Sequence, residues 1–230
     1  MKLADYPQSV QEAVAVTRER IAQLHLELPK NNLVVWTAGN ISERIPGTDL
    51  FVIKPSGVRY GDLSPHNMVV CDGDGNKVDE TERTYKPSSD AKTHAYIYRY
   101  MPDVGGVVHT HSPYATAFSA VRKPIPPILT MIGDEFGGEI PVGPFALIGD
   151  ESIGRGIVET LKRSNASAVL MANHGPFVVG NTALEAVKTA VMLEEVAKTV
   201  AIAQSLGTAC EIDAGDLASL NRRYREVYGQ

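Results

Sequence analysis

Six short apolar runs, each closed off by Gly, Pro, Asn or Asp, alternate along the chain with stretches of helical spacing, and that rhythm limits the possible folds more than any other feature. The runs are "LVVW" at 33–36, "LFVI" at 50–53, "MVVC" at 68–71, the segment around "GGVVHTHS" at 105–112, "AVLMA" at 168–172 and "FVVG" at 177–180. Runs of this length and punctuation read as strands. Before them, Val10, Ala13, Val14, Thr17, Ile21, Leu24 and Leu28 recur at helical spacing up to Pro29, with Ser9 and Glu12 as a capping box. Helical spacing returns in "SDAKTHAYIYRYM", in "DESIGRGIVETLKRS" and, at greatest length, from Thr182 with Glu185 to Gly207. A short polar helix, "DLASLNRRYREV", follows, and "AVLMA", "NHG" and "FVVG" read as strand, turn, strand. Strands and helices interleave without a strict βαβ rhythm. The expected fold is therefore α/β, a mixed sheet covered by helices, in place of a Rossmann fold or a barrel.

With 230 residues and no repeat, linker or charge block, one domain spanning 1–230 is expected. A composition of 43% hydrophobic and 21% charged residues is that of a globular chain. The net charge of -5 comes without a basic stripe, which argues against a nucleic-acid partner. "MKLADYPQSVQEAV" carries charge where a signal peptide needs its apolar run, and no stretch of about 18 residues is uninterrupted and apolar. A cytoplasmic protein with no membrane partner is expected. Cys71 and Cys210 form no CxxC pair and read as packing residues, and the sequons at Asn40 and Asn165 carry no glycan in that compartment.

"GGVVHTHSPYA" places His109 and His111 two residues apart on one strand. Side chains at i and i+2 of a strand point to one face, so both imidazoles project together while Val108 and Thr110 project the other way. The pair alone leaves two readings open, nitrogen ligands for one cation or two rings satisfied by backbone carbonyls. His174, on the "NHG" turn, supplies a third imidazole, and Asp90, closing "KPSSD" at a helix start, a carboxylate. Three His and one Asp, with cysteine nearly absent, match a catalytic Zn²⁺ site better than a closed structural one. His25, His66 and His94 have no partner in the sequence and read as ordinary residues. "DGDGN" at 72–76 begins like a calcium loop but has Lys77 at position six where such a loop needs Gly, so it reads as a tight hairpin turn.

Three polar loops carry the remaining signal: "TAGNIS" with Gly39 and Asn40, "KPSG" with Ser56 and Gly57, and "KPSS" with Ser88 and Ser89. Each is an ordinary turn or cap when taken singly. Together, small polar side chains and exposed backbone N–H groups are what clasping a phosphate requires. A phosphorylated small molecule is the expected partner.

The order "GNIS", "KPSG", "KPSSD", "GGVVHTHS", "NHGPF" and terminal "YGQ", spread over essentially the whole chain, resembles the class II aldolase/epimerase family, whose fold is also that of adducin heads. The resemblance implies a three-layer α/β/α fold with a central, mainly antiparallel sheet flanked by helices. It also implies a homotetramer with active sites between neighbouring subunits, and one Zn²⁺ per subunit, with Mn²⁺ as an alternative. Position by position, it implies Asp90, His109, His111 and His174 as metal ligands and Gly39, Asn40, Ser56, Gly57, Ser88 and Ser89 as phosphate-binding residues. Asp134, in "MIGDEF", and Tyr228, in "VYGQ", match the two acid/base residues of the epimerase branch, the tyrosine being contributed across the interface. "LNRRYREV" lacks a histidine that related epimerases carry. Asp90 stands where the aldolase branch has Glu, which favours the epimerase branch. That branch interconverts L-ribulose 5-phosphate and D-xylulose 5-phosphate by cleaving and re-forming C3–C4. An aldolase acting on a sugar 1-phosphate such as L-fuculose 1-phosphate is the alternative, and a non-catalytic module of the adducin kind is disfavoured by the four metal-ligand candidates.

Overall fold

Alternate residues of the strands face two different cores, and this divides the protein into three layers. The computed structural model describes residues 2–78 and 85–228, with only the backbone of Tyr228. In chain order the elements are α1 (Gln8–His25), α2 (Glu27–Lys30), β1 (Asn40–Arg44), β2 (Phe51–Ile53), β3 (Val69–Cys71), α3 (Ala91–Tyr100), β4 (Gly106–His109) and α4 (Pro113–Val121). There follow α5 (Thr130–Phe136), β5 (Val142–Gly143), α6 (Ser152–Leu161), β6 (Ala168–Met171), β7 (Gly175–Gly180), α7 (Ala183–Leu206) and α8 (Ala214–Arg223), and a wide helical turn over Tyr224–Tyr228. The sheet runs β3-β2-β1-β4-β7-β6-β5. All neighbours are antiparallel except β5 and β6, so the expected mixed, mainly antiparallel sheet is present.

On one face Ile41, Val52, Val70, Val108 and Val178 pack against α1, α4 and α7; on the other, Phe51, Val69, Val107, Val169 and Phe177 pack against α3 and α6. Each such side chain removed from water contributes roughly 1.5–3 kcal/mol, so a one-residue slip in register would expose a whole row. Helix α7 is apolar over most of its circumference, as a helix wedged in a core must be. Thr182 caps it by accepting from Glu185 N at 3.2 Å, while the Glu185 carboxylate reaches back to Asn181 N at 2.9 Å. "DGDGN" is the expected turn, with Asp72 Oδ1 accepting from Asp74 N and Asn76 N.

Three expectations fail. The run 33–36 forms no strand: Leu33 and Val34 are buried, but Val35 and Trp36 are 74% and 72% exposed, and Trp36 has φ 59°, which no strand tolerates. The guanidinium of Arg59 stacks over its ring at 5.2 Å instead. In α1 the N-cap position is Pro7, with no side-chain capping bond, so Ser9 and Glu12 lie inside the helix. That helix also stops at His25, and Pro29 belongs to the separate turn α2.

Candidate metal and phosphate site

Strand β1, "NISER", positions the site, although its sequence looks like a loop. Its Ile41 enters the core, while Asn40, Ser42 and Arg44 share the opposite face, under α3. On α3 the side chains one turn apart are Asp90, at the cap position, His94 and Tyr98. Two strand residues advance about 6.7 Å and four helical residues about 6 Å, so the two rows keep step over two repeats. The result is a polar ladder. Asn40 Nδ2 donates to Asp90 Oδ2 at 2.7 Å, Ser42 Oγ lies 2.6 Å from His94 Nδ1 and 2.7 Å from Tyr98 OH, and the Arg44 guanidinium reaches the Tyr98 carbonyl.

At the end of this ladder three strands meet. Asn40 is paired with His109, and His109 with Phe177. His109 is buried, lies flat on the Phe177 ring at 4.0 Å, and is 2.9 Å from the Pro176 carbonyl through Nδ1. Since a carbonyl only accepts, Nδ1 carries the proton and Nε2 presents a lone pair. Strand β4 ends at His109, yet the extended backbone continues, and His111 Nε2 lies 3.0 Å from His109 Nε2. His174 arrives from the turn between β6 and β7. The left-handed residue there is Asn173, φ 56°, pinned by Arg122 and by the Ala120 carbonyl. Gly175 allows a close approach: a Cβ there would stand 2.8 Å from the Thr110 carbonyl.

The ligand nitrogens of His109, His111 and His174 all lie within 4.8 Å of one another. Burial pushes the pKa of His109 well below the ordinary histidine range, reinforced by His111 and His174, and burial likewise lowers those two against an upward pull from Asp90. All three are thus neutral rings with lone pairs to give. Two tetrahedral Zn–N bonds of about 2.05 Å put their nitrogens about 3.3 Å apart, close to the 3.0 Å between the two Nε2 atoms, so the donor set fits a divalent cation. Asp90 stands outside this three-histidine group. It is 4% exposed, and its Oδ1 has no hydrogen-bond partner among the described residues.

The three polar loops converge on the same place. Ser88 N donates to the Lys54 carbonyl and Ser56 N to the Lys86 carbonyl, so the two "KPS" stretches clasp each other. Asn40 Nδ2 also donates to Ser88 Oγ at 3.0 Å. Gly39, at φ 78°, lets the first loop turn into β1 where a Cβ would strike Val34 and the His109 carbonyl. Gly39, Asn40, Ser56, Gly57, Ser88, Ser89, Asp90 and the three histidines line one cavity of about 280 Å³.

Sequence reasoning missed four members of this neighbourhood. Among the described residues Lys54 is the only Lys or Arg on the cavity wall, 2% exposed, with Nζ donating to the Thr37 and Pro55 carbonyls, and burial lowers its pKa to about 8. The repeated "KPS" was its signal. Phe177 backs His109, Ile148 closes a wall, and His94, read as ordinary, is a buried residue of α3 one turn after Asp90. His25, also read as ordinary, is buried, accepting from Ile41 N.

Asp134 sits on α5, outside the residues that line this cavity, and its carbonyl accepts from Asn221 Nδ2 of α8 at 2.9 Å. The side chain of Tyr228, with Gly229 and Gln230, lies outside the described residues. Among the described residues no helix is long and apolar enough to cross a membrane.

Comparison with known proteins agrees with this architecture. L-fuculose 1-phosphate aldolase superposes with a TM-score of 0.84 at 26% identity, over 91% of this chain and 96% of that one. YgbL from Escherichia coli does so at 0.77 and 28%, over 90% and 98%. L-fuculose-1-phosphate aldolase from Thermus thermophilus gives 0.69 and 25%, over 86% and 100%. Residues 19–201 match the family described as class II aldolase and adducin N-terminal domain, so this chain is a member of that family.

Proposed function

We propose that the protein is a metal-dependent sugar-phosphate epimerase of the L-ribulose-5-phosphate 4-epimerase type. The observation that carries this reading is the joining of the three-histidine cluster and the three small-residue loops in one cavity. Its proposed ligands are His109, His111 and His174, with Asp90 as a fourth, and the cation is Zn²⁺ or another divalent metal. When bound, that cation supplies a Lewis acid for negative charge developing on substrate oxygens.

The C4 hydrogen of a 2-ketose phosphate is not acidic, so inversion at C4 goes through the C3–C4 bond. A base takes the C4 hydroxyl proton, the C3–C4 electron pair passes to the three-carbon fragment as an enediolate, and C4 becomes the aldehyde carbon of glycolaldehyde phosphate. The aldehyde turns over, the enediolate attacks its opposite face, and a proton returns to O4. In this reading Lys54 and the loops at Gly39–Asn40, Ser56–Gly57 and Ser88–Ser89 hold the phosphate while the aldehyde rotates. Asp134 and Tyr228 exchange the protons on opposite faces. Since Asp134 stands off the cavity of its own chain and on the same α5–α8 unit as the C-terminal turn, both residues serve the cavity of a neighbouring copy in a homotetramer.

Phosphorus NMR of the zinc-loaded protein with L-ribulose 5-phosphate tests the reading. Conversion to D-xylulose 5-phosphate without accumulating glycolaldehyde phosphate is expected. The similarity to L-fuculose 1-phosphate aldolase supports a second reading, and release of dihydroxyacetone phosphate from L-fuculose 1-phosphate, with L-ribulose 5-phosphate unchanged, would establish it instead.

A further inference from the structure

The polar ladder between β1 and α3 leaves three buried atoms without partners among the described residues, Asn40 Oδ1, Asp90 Oδ1 and His94 Nε2, and of these only the ring nitrogen can donate. Asp90 and His94 stand one helical turn apart, at i and i+4 on one face of α3. A buried polar atom left unpaired is costly, and two on adjacent rungs invite each other. One must donate and the other accept. A carboxylate oxygen can only accept.

His94 is fully buried, where a charged imidazolium is disfavoured, so its ring carries one proton. Which nitrogen holds that proton is set on the other side of the ring, where Nδ1 lies 2.6 Å from Ser42 Oγ, itself 2.7 Å from Tyr98 OH. If Tyr98 donates to Ser42 and Ser42 to Nδ1, the proton sits on Nε2. The reverse order leaves a bare nitrogen lone pair beside a buried carboxylate, which is repulsive. Phe177 stands edge-on to His94 at 6.3 Å and flat against His109, so the ring is held from that side too.

We infer that His94 is a positioning residue for the site: Ser42 and Tyr98 fix its proton on Nε2, and that N–H completes the hydrogen bonding of Asp90, directly or through one buried water. Asn40 holds one oxygen of Asp90 and His94 the other, so the carboxylate cannot rotate away from the histidine cluster. The inference rests on the metal-centre reading only for its affinity test.

Long-range ¹H–¹⁵N NMR of the metal-free protein reads the tautomer directly. The expected result is a neutral His94 protonated at Nε2, with that nitrogen shifting when Asp90→Asn removes the charge; an Nδ1-protonated ring, or an Nε2 signal indifferent to Asp90→Asn, overturns the inference. Zinc titration against a competing chelator supplies the second readout. His94→Leu is expected to weaken zinc about 10- to 100-fold, the range for partners behind metal ligands, while His94→Gln, which keeps a donor on that side, recovers most of it. Leu and wild type binding zinc equally would count against positioning. Should His94→Leu fail to fold, Ser42→Ala in its place should turn the single tautomer into a mixture, and an unchanged Nε2–H ring would refute the role of Ser42. Neither readout uses turnover, so an inactive protein with an Nε2–H ring would sink the proposed reaction and leave the positioning role standing.

Discussion

Acidification from pH 7 to 5 should weaken the metal-free protein by about 4 kcal/mol or more, because of histidines held neutral in the core. His25 is fully buried, donates from Nδ1 to the Ile21 carbonyl at 2.6 Å and accepts from Ile41 N through Nε2 at 3.0 Å. A second proton would break the bond to Ile41 and set two N–H groups head to head. Burial accordingly lowers its pKa from 6.5 to about 3, and His94 is lowered to about 3 as well. Below pH 6.5 the unfolded chain takes up a proton at each of these rings while the native state does not until near pH 3. Stability therefore falls with falling pH, by about 1.4 kcal/mol per pH unit for each ring. Two rings over the 1.5 units from 6.5 to 5 give about 4 kcal/mol, and the lowered His109, His111 and His174 act with the same sign. That is a large share of the 5–15 kcal/mol typical of a domain. Urea denaturation at pH 7, 6 and 5 with chelator present measures it. His25→Gln should reduce the slope by about 1.4 kcal/mol per unit. A change of less than about 1 kcal/mol across the range would refute the argument that these rings stay neutral in the native state.

Two glycines of the cavity should respond differently to alanine. Gly39→Ala adds left-handed strain at φ 78° to a Cβ lying 2.5 Å from Val34 Cγ1 and 2.9 Å from the His109 carbonyl, so a loss of about 2–4 kcal/mol, with weakened zinc binding, is expected in melting and titration experiments. Gly57→Ala, at φ 70° but with nothing within 4 Å, should lose only about 1–2 kcal/mol; equal costs would show that the approach to His109 is not what matters. His109→Ala should lose zinc and activity together, and a zinc-replete, inactive variant would contradict ligation. Tyr228→Phe should depress turnover far more than metal content, with equal loss of both counting against an acid/base role.

Much of this site can be read from the sequence because strand and loop chemistry is local. The i, i+2 spacing of His109 and His111 survives the end of the strand, and the three loops are recognisable by their small polar residues. The harder parts depend on neighbours. "NISER" looks like a loop because only Ile41 of its central residues is apolar, and its polar face is satisfied by α3, 50 residues away in sequence. "LVVW" looks like a strand because its composition is that of one, yet the chain turns left-handed at Trp36 before any partner can pair with it. Lys54 and His94 give no signal as single residues. For Lys54 the repeated "KPS" is the only sequence pattern, and the meaning of His94 lies in its burial on α3 facing Ser42 of β1, which no one-dimensional pattern reports.

In the proposed reading the placement of groups also separates what binds from what reacts. The histidine cluster hangs from the middle of the sheet, where β1, β4 and β7 are paired through Asn40, His109 and Phe177 and covered on both faces. The proposed proton-transfer groups belong instead to a peripheral unit. Asn221 ties α8 to the Gly133 and Asp134 carbonyls, and Tyr224 OH donates to Glu135 at 2.6 Å, whose other oxygen accepts from Thr189. Substitutions in that unit can change which faces of an aldehyde meet an acid or a base without touching the imidazoles or the phosphate loops. In the proposed reading one histidine platform serves both cleavage and epimerisation, and the choice between them falls to the acid/base residues Asp134 and Tyr228.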